Sequence, residues 1–234
     1  MKYCFIFDLD GLLVDTQLSF HAVAESMIFA RHGLNLKPEV ISQRYAGIST
    51  RKIFHELLPR ENVDMLVQQK WETMYKLLKT NSLVALPGML DVCYFLKSQA
   101  TPIIIASASP KSWIQLCLNQ PMIDPKFAHN FTSVNFSNLF GNNFVSAEEC
   151  RDGKPAPDVF LLAKNRLAVS SLSETIKWVV VGDGASDVVG GLAAGMEVLF
   201  LSDVNTDFDS NQRVKRFSDS MQLAEYIRKL VEND

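Results

Sequence analysis

The sequence predicts an α/β fold: a doubly wound parallel sheet, interrupted directly after its first strand by a block of helices. Three observations carry this reading. Short apolar runs at Tyr3–Phe7, Pro102–Ala106, Asn143–Ser146, Trp178–Gly182 and Glu197–Leu201 have the character of strands buried on both faces. Helical periodicities separate them. The polar residues best suited to chemistry, Asp8, Ser107 and Asp183, stand just beyond the carboxyl ends of such runs. Ligands of open parallel sheets bind at those ends.

Taken in order, the first strand runs straight into Asp8-Leu9-Asp10-Gly11. Successive strand residues face opposite sides, so Asp8 and Asp10 would share a side if the strand geometry continued. Gly11 frees the backbone to turn. Two close carboxylates repel unless a cation or a shared proton compensates. Helical spacing then dominates from Thr16 to about Thr80. Phe20, Val23, Ala24, Met27 and Ile28 form one face of a helix that Gly33 stops. Pro38 suits the first turn of a second helix, reaching about Tyr45. Ser49 is placed to cap a third, through Leu57 and Leu58, and a fourth carries Met65 to Leu78. The expected division is a core of residues 1–16 and 84–234, with an inserted helical domain over 17–83.

After Leu86-Pro87-Gly88, helices at Met89–Lys97, after Pro110, from Pro157 through Leu167, and to about Ala194 alternate with the remaining strands. Gly195 is a natural stop. Residues 120–141, rich in Asn, Phe and Ser, are long for a connection and are compatible with a short extra strand or helix or an ordered loop. Asp203 to Ser220 reads as a polar surface loop before a C-terminal helix carrying Leu223, Tyr226, Ile227 and Leu230.

Composition narrows the class. The chain has 234 residues, 47% hydrophobic and 21% charged, which fits a globular enzyme rather than a disordered chain. A net charge of −3 without a long basic run gives no reason to expect a nucleic-acid or anionic-membrane partner. No apolar stretch approaches membrane-spanning length, and the N-terminal run is too short for a signal peptide. Cys4, Cys93, Cys117 and Cys150 are scattered without metal-type spacing, as expected for reduced thiols in a cytoplasmic protein. The histidines show no ligand spacing.

Four polar clusters remain: Asp8 with Asp10; Ser107 after its strand; Lys154 in Gly153-Lys154-Pro155-Ala156-Pro157-Asp158; and Asp183 with Asp187 after the Trp178–Gly182 strand. Alone, Ser107 is equally a strand-end cap and Lys154 a surface lysine. In this order and context they resemble the four motifs of the haloacid dehalogenase (HAD) superfamily, over residues 3 to about 201. The insert resembles the small helical cap of its β-phosphoglucomutase-like and phosphoglycolate-phosphatase-like branch. The implied core is Rossmann-like.

The resemblance implies a role for each motif residue. Asp8 would attack phosphorus to form an aspartyl-phosphate. Mg²⁺ would be held by Asp8, the main-chain carbonyl of Asp10 and Asp183, with Asp187 as a ligand or water-orienting partner. Asp10 would protonate the leaving oxygen and then deprotonate water. Ser107, the amide of Ala108, and Lys154 would hold the phosphoryl oxygens. In the cap, Gly47 and Ser49 of Ala46-Gly47-Ile48-Ser49-Thr50-Arg51 would approach the substrate, with Arg51 or Lys52 near an anion; Ser49 also serves equally well as a plain helix cap.

Two departures from the branch bear on the reaction. Gln17 follows Asp15-Thr16 where many relatives carry Glu, and Thr50 stands where mutases tend to carry a basic residue. The spacing of Asp183 and Asp187 looks phosphatase-like. The acids Asp10, Asp183 and Asp187 argue against metal-free dehalogenation. The expectation is a Mg²⁺-dependent phosphatase of a small phosphorylated metabolite, a sugar phosphate or phosphoglycolate-like compound, working as a monomer or weak homodimer. A sugar-phosphate mutase is the alternative, followed by a catalytically silent binding protein of the same fold.

Overall fold

A computed structural model describes residues 2–45, 48–123, 135–167 and 176–233. The chain divides into two compact units, Met1–Val14 with Val84–Asp234, and Asp15–Leu83.

The first unit is built on a six-stranded parallel sheet. Its strands are β1 (Lys2–Phe7), β3 (Ile103–Ser107), β5 (Phe144–Ser146), β6 (Ile176–Gly182), β7 (Glu197–Leu201) and β8 (Val214–Phe217), in the order β5-β3-β1-β6-β7-β8. β2 (Leu83–Val84) and β4 (Met122–Ile123) form a separate two-stranded ribbon. From β1 the chain winds outward through β3 and β5, then returns to the other side of β1 and winds through β6, β7 and β8. The reversal falls between β1 and β6, whose register pairs Phe7 with Val181. A crevice at the carboxyl ends of the strands opens at such a reversal.

Helices α5 (Met89–Ser98), α6 (Lys111–Asn119), α7 (Ser137–Phe140), α8 (Asp158–Leu167), α9 (Ala185–Ala193) and α10 (Ser220–Glu232) complete this unit. Ile6, Ile104, Val145, Val180 and Val198 on the sheet pack with Val159, Phe160 and Val188 of α8 and α9. Cys4, Cys93 and Cys117 are free and buried, and Cys150 is free and half-buried.

The second unit is helical. A π-helical turn (Gln17–Ala22) leads into α1 (Val23–Arg31), followed by α2 (Pro38–Arg44), α3 (Thr50–Leu57) and α4 (Val63–Leu78). Gly33 ends the first helical stretch at a φ of +81°. Pro38 occupies the first turn of α2, Ser49 caps α3 and Asn62 caps α4. Ile28, Phe29, Ile41, Ile53, Phe54 and Leu66 make its own core. A buried polar knot sits beside it. Lys70 Nζ donates to Thr50 Oγ1 at 2.6 Å, lies 2.8 Å from His21 Nδ1, and is 3.4 Å from Glu25 Oε1. Thr50 Oγ1 in turn donates to Glu25 at 2.6 Å.

One sequence expectation is corrected. Residues 203–220 are not simply a surface loop: they contain a 3₁₀ turn (Asp207–Ser210) and the edge strand β8. Lys215 and Arg216 break up the apolar run of this short strand, and only Val214 and Phe217 are buried, which hides it from a pattern search. Within 120–141, β4 and α7 are present; residues 124–134 lie outside the described ones. Among the described residues no helix is long and apolar enough to cross a membrane.

Candidate active site

The site begins where β1 stops. Asp8 follows the last strand residue, and its N–H still donates to Val181 of β6 at 2.8 Å, which fixes its backbone at the sheet reversal. The chain then leaves strand geometry. Gly11 turns at a φ of +85° and its N–H closes on Val14 at 2.8 Å. The alternation that would place Asp8 and Asp10 on one side therefore does not extend beyond Phe7, and the two carboxylates find different partners.

Asp8 Oδ1 is 2.6 Å from Lys154 Nζ, and the same ammonium is 2.6 Å from Asp187 Oδ1. Lys154 is only 3% exposed, so this cation is held in the site rather than solvated. Phe160 supports it from the ring face at 5.2 Å. Two glycines make the arrangement possible. A Cβ on Gly182 would lie 2.4 Å from Asp187 Cβ, so only glycine admits that side chain. A Cβ on Gly190 would meet Phe160 at 2.6 Å and the Pro155 carbonyl at 3.1 Å; its absence lets α9 approach the loop that follows Lys154. The Lys154–Pro155 peptide is cis.

Asp187 also accepts the Gly184 N–H at 3.0 Å, closing the first turn of α9. Asp8, Asp183 and Asp187 each offer a carboxylate oxygen within 4.8 Å of one another. Burial pushes the Asp8 carboxyl up to about 7, against the lowering effect of Lys154, and the charge of Asp187 adds to the rise. Burial, then the charges of Asp8 and Asp187, push Asp183 well above the usual carboxylate range. One ammonium thus leaves negative charge uncompensated among three hard oxygen donors. That donor set fits a divalent metal ion with oxygen preference.

Asp10 is absent from this triad. Its Oδ1 accepts from Trp113 Nε1 at 2.9 Å and its Oδ2 from Ser109 Oγ at 2.5 Å. Ser107 is buried at the end of β3, beside β1, and its hydroxyl accepts the Ser109 N–H at 3.0 Å. Ala108 is exposed in the turn that leads to α6. In the helical unit, Ser49 Oγ accepts from the Lys52 N–H at 3.4 Å, the geometry of a helix cap. Arg51 pairs with Asp64 at 2.6 Å on the surface. Gly47 lies outside the described residues. Sequence reasoning missed Ser109, Trp113, Gly182 and Gly190. The only available signal was position: each is within a few residues of a motif, and Trp113 brings an N–H into an otherwise apolar helix face.

At the sheet reversal, Asp8 paired with Lys154, and its acidic neighbours Asp183 and Asp187, form one polar cluster at the carboxyl ends of the strands of an α/β core. The chain belongs to the haloacid dehalogenase-like hydrolase family, whose sequence pattern matches residues 5–201. It is 27% identical over 195 residues to hexitol phosphatase A of Escherichia coli, covering 83% of this chain and 81% of that one. It is 29% identical over 209 residues to the phosphorylated carbohydrates phosphatase of Thermotoga maritima, covering 83% and 82%. The crystal structure of a HAD hydrolase, family IA, variant 3, from Entamoeba histolytica superposes with a TM-score of 0.73 at 18% identity, covering all of both chains.

Proposed function

We propose that this protein is a Mg²⁺-dependent phosphatase that hydrolyses a small phosphomonoester, a sugar phosphate or phosphoglycolate-like compound, through an aspartyl-phosphate. The observation that carries the reading is the Lys154 ammonium at 2.6 Å from both Asp8 and Asp187, beside Asp183. A phosphoryl group is strongly anionic, so a carboxylate can attack it only where cations offset the charge. The activity named for the two curated relatives supports the same reaction class.

In this mechanism an Asp8 oxygen attacks phosphorus, and the bond from phosphorus to the ester oxygen breaks. The departing oxygen takes a proton from Asp10. Asp10, now ionised, accepts a proton from water, whose oxygen attacks the same phosphorus. The bond to Asp8 breaks, inorganic phosphate leaves, and both aspartates return to their starting forms. Lys154 neutralises part of the charge beside Asp8, while Ser107 and the Ala108 amide donate to the phosphoryl oxygens. Asp8, Asp183, Asp187 and the main-chain carbonyl of Asp10 would hold the Mg²⁺ ion, which supplies electrostatic stabilisation of the phosphoryl oxygens.

The helical unit is proposed as a cap that recognises the organic part of the substrate, with Ser49, at the start of α3, among the residues that approach it. Thr50 favours hydrolysis over the mutase alternative. Its hydroxyl is committed to Lys70 and Glu25, and it supplies no cation for a second phosphate. The test is phosphate release from hexose, hexitol and glycerol phosphates and phosphoglycolate, with and without Mg²⁺. Release that requires Mg²⁺ is expected. Isomer interconversion dependent on a bisphosphate primer, without phosphate release, would favour the mutase.

A further inference from the structure

The buried carboxyl group of Asp10 is held by two donors from the segment that follows β3. Trp113 Nε1 donates to Oδ1 at 2.9 Å and Ser109 Oγ donates to Oδ2 at 2.5 Å. Each oxygen has its own donor, so the pair fixes both the position of the carboxyl group and its rotation about the last side-chain bond. The two donors are themselves rigid. Trp113 is fully buried in α6, and its indole N–H can donate but never accept. Ser109 donates its N–H to Ser107 Oγ at 3.0 Å, and its carbonyl accepts from Ser146 Oγ at 2.7 Å. The turn that follows Ser107 therefore carries one of the two donors to Asp10, and α6 after it carries the other.

We propose that Trp113 and Ser109 are positioning residues for proton transfer, holding Asp10 in register with the Ser107 phosphoryl contact. This rests on the phosphatase reading, in which Asp10 carries the proton. A simple need to satisfy a buried carboxylate would be met by any two donors. Here both come from the turn and helix that follow β3, and one of them is tied to Ser107. A proton carrier must come within about 2.6–3.2 Å of the oxygen it serves, and a misplacement of about 1 Å can cost about a hundredfold in rate.

The test uses the leaving group. An alkyl phosphate from the panel above needs a proton as its ester oxygen departs, whereas p-nitrophenyl phosphate releases a stabilised anion and needs little help. Trp113→Phe keeps the ring and removes the N–H; Ser109→Ala removes the hydroxyl and Ser109→Thr retains one. In kcat/KM, which reports the first half-reaction, Trp113→Phe and Ser109→Ala should each lose about tenfold more on the alkyl ester than on the aryl ester. Ser109→Thr should recover most of that difference, and Asp10→Asn should show the same bias more strongly. A merely structural defect lowers both esters by one factor, so equal losses or none overturn the clamp. If Trp113→Phe does not fold, the two Ser109 variants decide the matter. Failure of the underlying reading looks different: the wild type hydrolyses neither ester, or Asp10→Asn shows no ester bias, and the clamp falls with it.

Discussion

Lys154 Nζ lies 2.6 Å from Asp8 Oδ1, so the candidate nucleophile is paired with a cation 146 residues further along the chain. That contact exists because β1 occupies the centre of the sheet and the loop after β5 returns to its carboxyl end. Lys154→Met keeps the stem and removes the charge. A loss of about 10²–10³ in kcat/KM is expected, the range seen when one preorganised donor to a developing charge is removed. Steady-state kinetics on the best phosphomonoester will check it.

The acidic triad also sets a dependence of stability on pH. Asp8 titrates near 7 in the folded chain, well above its unfolded value, and Asp183 is shifted in the same direction. Between about pH 4 and about pH 7 the folded state then binds more protons than the unfolded state. These groups contribute stability at low pH that is lost as pH rises through the folded value. Burial works to lower the Lys154 titration, but Asp187 and Asp8 outweigh it and push it upward, so Lys154 stays charged across this window and adds no slope there. Without divalent ions, Tm should fall between about pH 4 and about pH 7. Mg²⁺ should raise Tm most at the upper end, where the carboxylates are ionised. A Mg²⁺ shift equal at both ends would refute this.

Gly182 has no room for a methyl group, since a Cβ there lies 2.4–2.5 Å from three atoms of Asp187. Gly182→Ala should displace Asp187 and break its contact with Lys154. The expected result is a loss of about 1–3 kcal/mol of stability from overpacking, with activity reduced far more than Tm. Thermal unfolding alongside kinetics separates the two effects.

The knot in the helical unit is expected to be structural. Lys70→Met leaves Glu25 buried without its lysine partner, which costs about 3–5 kcal/mol. Lys70→Met combined with Glu25→Leu should cost less than Lys70→Met alone. Denaturant unfolding of the two variants compares them directly.

Much of this was legible in the sequence for physical reasons. β1, β3 and β6 are central strands, so their apolar runs are continuous and their ends are marked by Asp8, Ser107 and Asp183. Pro38, Ser49 and Gly33 act through local backbone preferences, which the sequence carries directly. β8 was hidden because it is short and Lys215 and Arg216 stand between its two buried residues. The clamp on Asp10 was hidden for a different reason. Ser109 and Trp113 are 99 and 103 residues away from it, and no local pattern reports a tertiary hydrogen bond.

As the proposed nucleophile, Asp8 is expected to form a covalent bond to phosphorus during turnover. The most direct measurement is phosphate release by wild type and Asp8→Asn with Mg²⁺, together with mass analysis of the acid-quenched wild type during turnover. Turnover by the wild type, none by Asp8→Asn, and a phosphoryl adduct on the peptide carrying Asp8 are the predicted results. Undiminished phosphate release by Asp8→Asn, or an adduct on another residue, would contradict the account.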